Sequence, residues 1–329
     1  MAKERGRKSK RRALRPRPPE PASAKVPRSL QPAPSARGRR RWSARGAAAL
    51  IGVLVAIATA CLFARDTTET RRSLAGESVG GDRVDPGKRE NAKVERLGVR
   101  VIRRYPHQRD AFTQGLVWHD GDLYESTGML GHSSLRLVEL ETGTVLRRRD
   151  DDPTLFAEGL ALAGDLLYQI TWHDGRALVF RRADFAPIRE HSYEGEGWGL
   201  CYDGASLVMS DGSDQLFFRD PETFAVRRAV RVTFEGKSMD RLNELECAAG
   251  EVWANVWLKD TIVRIDPRDG RVIAVVDASG LLTADERRGT DVLNGIAWMP
   301  ESGHFLVTGK YWPWLFEVEF ERPHPASPR

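Results

Sequence analysis

Cysteine is scarce in this chain, with 3 among 329 residues, and the three form neither a C-x-x-C pair nor a mixed cysteine–histidine spacing. Zinc ribbons, zinc fingers and thioredoxin-like redox motifs have nothing to stand on here. A net positive charge is missing from most of the chain as well. Residues 1–45 hold 16 Lys and Arg against 2 Glu, a net +14, and with +5 overall the remainder carries −9. A nucleic-acid-binding domain needs its basic patch on the fold, so the charge argues against that class. The basic tail is also rich in Pro, Ser and Ala and nearly free of aromatics. Such a composition cannot bury a core and reads as disordered.

Long apolar runs are absent except for one. Gly46 to Ala64 is an uncharged stretch of 19 residues, long enough to span a bilayer as a helix. Arginines crowd its N-terminal side, so the positive-inside rule puts residues 1–45 in the cytoplasm and the rest outside. The run reads as a signal anchor, with the protein periplasmic or extracellular beyond it. A cleaved signal peptide, which would release a secreted protein, is the alternative; a 45-residue n-region is unusually long for it. Cys61 after Ala58-Thr59-Ala60 is a weak lipoprotein lookalike, and Arg40-Arg41 a faint twin-arginine one. Residues 65–95 are polar and aperiodic, a linker. The folded domain is expected over 96–322, with 323–329 as a C-terminal tail.

Within that domain one pattern recurs five times: TQGLVWHDGDLYESTG, AEGLALAGDLLYQITW, GWGLCYDGASLVMSDG, LNELECAAGEVWANVW and LNGIAWMPESGHFLVTGK. A repeat period in the forties made of short strands is the signature of a β-propeller. Each copy continues into a second hairpin, such as LRLVELETGTVLRRR, with turn residues where hairpin chemistry wants them. The fifth copy has only one outer strand, 314–320, before Pro323. The alternating segment Leu97–Tyr105 ahead of the first repeat is therefore expected to pair with it and close the ring, leaving no exposed edge. The fold class is all-β, a five-bladed propeller of four-stranded blades.

A propeller brings equivalent positions together around a channel. The alignment puts Gln114, Glu158, Trp198, Asn243 and Asn294 at one position. Fourteen residues on stand Gly128, Trp172, Gly212 and Trp257, and Lys310 joins them at sixteen because the last hairpin is longer. Together they describe a cup with one carboxylate, one ammonium, carboxamides and aromatic walls, which is how a small-ligand pocket is built. Each member also has a structural reading. Trp172 and Trp257 could be core, Asn243 could serve a turn, Lys310 could be a solvated strand end, and Glu158 could pair with an arginine. Their shared registers favour the site. Cys201 and Cys247 fall on innermost strands taken as two blades apart, so buried free thiols are expected rather than a bond that needs Cα atoms within about 7 Å.

The strings FTQGL (Phe112–Leu116), FAEGL (Phe156–Leu160), ITW (Ile170–Trp172), EGWGL (Glu196–Leu200), LNELE (Leu242–Glu246), WANVW (Trp253–Trp257), LNGIAW (Leu293–Trp298) and TGKYWP (Thr308–Pro313) closely resemble the plant and bacterial glutaminyl-peptide cyclotransferases. The resemblance spans roughly Tyr105 to Phe320. It implies an enzyme that converts the N-terminal glutamine of peptides or proteins to pyroglutamate and releases ammonia. It puts the acid/base carboxylate on Glu158, assisted by Lys310 and Asn243. It assigns substrate contacts to Gln114, Phe112, Phe156, Trp172, Trp198, Trp257 and Asn294. Ala157 stands where relatives carry Gly, and points away from the ligand register. No catalytic metal is implied, in keeping with the absence of His from both registers; a structural cation in the channel is left open.

The chemistry needs a neutral α-amine, a base to take its proton, an acid for the leaving amide nitrogen and donors for the developing oxyanion. Two other classes stay in view. A metal-dependent lactonase-like propeller could hold a cation with Glu158, Asn243, Asn294 and Asp291, although the Lys310 ammonium opposes it. A non-catalytic propeller could bind peptides without turnover. The expected partners are peptides with N-terminal glutamine and the membrane through 46–64, and no nucleic acid.

Overall fold

The computed structural model describes residues 93–323. The basic tail 1–45, the apolar run 46–64 with Cys61, nearly all of the linker 65–95 and most of 323–329 lie outside the described residues. Among the described residues every regular element is a strand.

Three of the repeats form separate four-stranded antiparallel sheets, each in sequence order. In the first, Thr113–His119, Asp122–Thr127, Ser134–Glu139 and Thr144–Asp150 follow one another. The fourth and fifth repeats join into one eight-stranded sheet. The join is the strand Glu95–Pro106, which pairs antiparallel with Trp314–Glu321 (Val101 opposite Val318) and parallel with Val272–Asp277 (Leu97 opposite Val276). The alternating N-terminal segment therefore does supply the partner of the last strand, and begins at Glu95, one residue inside the expected linker.

The alternation of each strand decides how the sheets pack. Five apolar clusters form, and each draws on two consecutive repeats. Tyr124, Leu135, Leu160 and Leu167 join the first and second, and Tyr168, Ile170, Leu200 and Met209 the second and third. The last joins Leu116 and Leu123 of the first to Ala297 and Leu306 of the fifth. The outermost strands Thr144–Asp150 and Val226–Arg231 are arginine-rich and largely exposed. The result is a propeller-like all-β arrangement with its sheets packed face to face.

At the inner edges the strands meet by hydrogen bonds rather than by apolar contact. Ser126 Oγ donates to Glu158 O (2.6 Å), Gly159 N to Trp198 O (2.8 Å) and Ser210 Oγ to Asn243 O (2.7 Å). Gly295 N donates to Asn255 Oδ1 (3.1 Å) and Asn294 Nδ2 to Thr113 O (3.0 Å). These bonds link each repeat to the next and the fifth back to the first. The glycine after the first register position permits such closeness: a Cβ on Gly115 would strike the Leu160 backbone, and one on Gly199 the carbonyl of Asn243. Only the fourth repeat departs, with Glu244 in the glycine position. Its fully buried carboxylate accepts Leu116 N (3.2 Å) and Ile296 N (2.9 Å), from the first and fifth repeats.

Cys201 and Cys247 correct the sequence expectation. They lie on the inner strands Leu200–Tyr202 and Leu242–Ala248 of consecutive repeats, not of repeats two apart. The close inner-edge packing leaves their Cα atoms 5.5 Å apart, and they are disulfide-bonded. Closing a loop of 46 residues limits the unfolded chain, a stabilisation of roughly 2–4 kcal/mol. Replacing both cysteines by serine should lower the free energy of unfolding by about that much in chemical denaturation; an unchanged midpoint would contradict the bond. Glu244→Gln keeps the size but replaces one acceptor with an amide N–H facing a backbone N–H. A loss of about 1–3 kcal/mol is expected in the same measurement.

Candidate active site

The inner strands of four repeats carry a β-bulge where the first register lies. Gln114 is the extra residue between the Thr113–Thr127 and Gly115–Ser126 pairs. The pairs Ala157–Thr171 and Leu160–Gln169 leave Glu158 and Gly159 opposite Ile170 alone. Asn243 and Glu244 bulge opposite Asn255, and Asn294 and Gly295 opposite Thr308. A bulge re-aims a side chain away from the normal pleat, and here it happens at the same level in each of the four. The second register closes over it through backbone bonds: Gly128 N to Phe112 O, Trp172 N to Phe156 O and Lys310 N to Val292 O.

The outcome is one cavity of about 410 Å³ lined by Phe112, Gln114, Phe156, Glu158, Trp172, Trp198, Asn243, Trp257 and Lys310, with Met129, Leu258, Asp291 and Val292. Nine of the ten residues expected at the site line this space. The tenth, Asn294, does not. It is wholly buried, and its Nδ2 donates to Thr113 O and to Gln114 Oε1 (3.1 Å). The closing contact between the fifth and first repeats takes up its Nδ2, while its Oδ1 has no hydrogen-bond partner among the described residues.

Gln114 in turn donates from Nε2 to Glu158 Oε1 at 2.8 Å. A chain of carboxamides thus orients the carboxylate across three repeats, and both ends of Gln114 are engaged. Glu158 is 5% exposed and Lys310 5% exposed, so the arginine-paired and solvated alternatives fall away. Burial pushes the Glu158 carboxyl well above the usual carboxylate range, outweighing the opposing pull of Lys310; Glu196 adds to the rise. Burial likewise pushes the Lys310 ammonium down, against the Glu158 and Asp291 carboxylates. Both shifts run toward the neutral forms. Lys310 Nζ lies 4.5 Å from the centre of the Phe112 ring, a cation–π placement. Asn243 Oδ1 has no hydrogen-bond partner among the described residues.

Aromatic rings form the walls. Tyr311, Phe112, Phe156 and Trp172 follow edge to face at 5.1, 6.0 and 5.5 Å, and Trp198 meets Trp257 at 5.4 Å. Two second-register glycines make room for them. A Cβ on Gly128 would come within 2.5 Å of the Phe156 ring, and one on Gly212 within 2.6 Å of Trp198.

Three contributors fell outside the aligned registers. Glu196 Oε2 accepts both the Trp172 and Trp198 indole N–H groups at 2.9 Å. Buried His107 reaches Glu125 Oε1 from Nε2 (2.9 Å) and Trp312 O from Nδ1 (2.8 Å). Burial would lower its basicity, but Glu125 reverses the sign and raises it; the pair secures the segment just after Lys310. Ser126, Ser210 and Asn255, the inner-edge donors and acceptor, share a third register twelve residues after the first. That register is visible once the repeats are aligned.

The fold and cup define a propeller-like protein with an acid, an amine and carboxamides at the base of an aromatic cavity. A family model described as glutamine cyclotransferase matches residues 78–320, and the chain belongs to that family. It is 40% identical over 234 residues to the glutaminyl-peptide cyclotransferase of Arabidopsis thaliana, covering 70% of this chain and 73% of the plant protein. It is 43% identical to the solved glutaminyl cyclase of Myxococcus xanthus, with a TM-score of 0.64, covering 70% of this chain and 99% of that one.

A carboxyl whose folded pKa is raised contributes stability that is present below its unfolded value and lost as pH rises through the folded one. Glu158→Gln should therefore raise the melting temperature, with a gain absent near pH 4 and growing toward alkaline pH. A gain independent of pH, or a loss, would contradict the assigned environment.

Proposed function

We propose that this chain is a glutaminyl-peptide cyclotransferase built as a five-bladed propeller, and that its catalytic group is Glu158. The single observation that carries the reading is a buried carboxylate, held by Gln114, sharing an aromatic-walled cavity with Lys310. The substrate is a peptide or protein with N-terminal glutamine, whose side chain lies between Trp172, Trp198 and Trp257. Folded back, its α-amine meets the side-chain amide carbon, and attack within one molecule gains chiefly from that orientation.

Glu158 takes a proton from the amine as the ring C–N bond forms and returns one to the amide nitrogen as the exocyclic C–N bond breaks, so that ammonia leaves. One carboxylate serves both steps because the two nitrogens sit on the same small ring. A buried carboxyl with raised pKa is a weak acid matched to an amine, the condition for efficient proton transfer. Lys310 and the unengaged Asn243 carboxamide donate to the oxygen that becomes negative in the tetrahedral intermediate. Phe112 and Phe156 complete the wall and hold Lys310 in a dry environment.

The lactonase-like alternative loses one donor from the cavity, because Asn294 does not line it and its Nδ2 bonds to Gln114 and Thr113. The reading uses no metal. We also propose that the basic tail 1–45 is cytoplasmic and that 46–64 anchors the propeller outside the membrane, with 65–95 as spacer.

Ammonia release from a glutamine-initiated dipeptide tests the reading. Wild type should turn over with EDTA present. Glu158→Gln should lose about 10²–10⁴ in kcat while still binding the dipeptide, and Lys310→Ala should lose on the order of 10²–10³. Turnover abolished by EDTA would restore a metal role. Glu158→Gln turning over as wild type would remove Glu158 from the chemistry, and folded protein without turnover would favour peptide binding alone.

A further inference from the structure

Glu196 stands outside the cavity yet touches two of its walls. Its Oε2 alone accepts the indole N–H of Trp172, on the second repeat, and of Trp198, on the third, at 2.9 Å each. Its other oxygen lies 3.7 Å from His173 Nδ1, and the His173 ring stacks on Trp172 at 3.7 Å between centroids. Glu196 is not among the residues that line the cavity; its carboxylate sits at the junction of the two tryptophans and the histidine.

Both indoles are half-buried and line the cavity. An indole in that position needs a partner for its one donor, and a ring without one is held by its ring contacts alone. Hydrogen bonds to a carboxylate are stronger than those between neutral groups. One shared acceptor also couples the rings, so that neither turns without breaking its bond to the oxygen that holds the other. A glutamine side chain clasped between them is then received by a preorganised slot, and less is lost in ordering it.

We propose that Glu196 is a positioning residue of this site, which fixes Trp172 and Trp198 through one shared carboxylate oxygen and thereby sets affinity for the substrate's glutamine side chain. The inference rests on the cyclotransferase reading. The carboxylate has a second reach, through its charge. Glu158 is faced by Lys310, by Glu196 and by the Tyr193 phenol, and Lys310 is faced in turn by Asp291. Of these, Glu196 works in the same direction as burial and raises the Glu158 carboxyl further.

Three variants separate these roles. Glu196→Ala removes the acceptor; Glu196→Met does so at similar length and stands in if the alanine variant does not fold. Glu196→Gln retains an oxygen that can accept both N–H groups but carries no charge. With a glutamine-initiated dipeptide, the apolar variants should raise KM about tenfold with kcat within about threefold of wild type. Glu196→Gln should restore KM, while the limb of the kcat/KM profile that titrates Glu158 moves to lower pH. An unchanged KM in the apolar variants, or a glutamine variant as impaired as they are, would overturn the proposal. So would a glutamine variant whose profile keeps the wild-type pH limb. If wild type itself released no ammonia, the functional reading would fall instead. Acrylamide quenching of indole fluorescence would then judge Glu196: greater quenching in the apolar variants than in Glu196→Gln supports the shared anchor, and equal quenching overturns it.

Discussion

The hydrogen bonds that join the inner strands to one another are the constraint on which the rest of this molecule depends. Backbone groups at the inner edges cannot reach water, so each must find a partner across the gap to the next repeat. Glycine after the first register position lets the strands approach closely enough for that, and Glu244 replaces glycine once, in the repeat whose side chain bridges to two others. The bulges follow from the same closeness. An inner strand that gives a carbonyl or N–H to its neighbour cannot keep a regular ladder with its own partner at that level, and the extra residue is turned toward the channel. Gln114, Glu158 and Asn243 are thus carried on inner strands, while Lys310 and the aromatic walls stand in the turns and connections beside them.

Desolvation is the second governing effect. A carboxylate and an ammonium in one cavity would each hold the other charged if Coulomb attraction prevailed. Here burial prevails for both, so Glu158 rises and Lys310 falls. The His107–Glu125 pair behaves oppositely: with a 2.9 Å contact, and Thr113 also donating to Glu125, the ionised forms are favoured although both side chains are shielded from solvent. Direct hydrogen bonding separates the two cases. The ionised pair fixes structure, and the pair pushed toward neutrality is left able to move a proton.

Much of this was legible in the sequence, because a repeat turns alignment columns into spatial rings. Seven cavity residues, the closing strand and the inner-strand positions came from that alone, and the family resemblance added Phe112 and Phe156. What escaped did so for definite physical reasons. Asn294 shares a column with Glu158, yet the column fixes only its level in the channel, and the contact back to the first repeat took up its Nδ2. Glu244 looks like a simple break in the x-Gly pattern, and its partners lie 128 and 52 residues away. Glu196 precedes the third repeat's short inner strand in an irregular segment that no column covers. The cysteines were misjudged through the order of the repeats rather than through chemistry.

We propose that the bulged register positions converge on one glutamine side chain. A crystal structure of the Glu158→Gln variant with a glutamine-initiated peptide bound tests it most directly. The account predicts the side chain folded between Trp172, Trp198 and Trp257, its amide carbon about 3–3.5 Å from the α-amine, and its amide oxygen turned to Lys310 and Asn243. A peptide seated elsewhere, or a glutamine extended away from these residues with a cation held between Asn243 and Asp291, would contradict it.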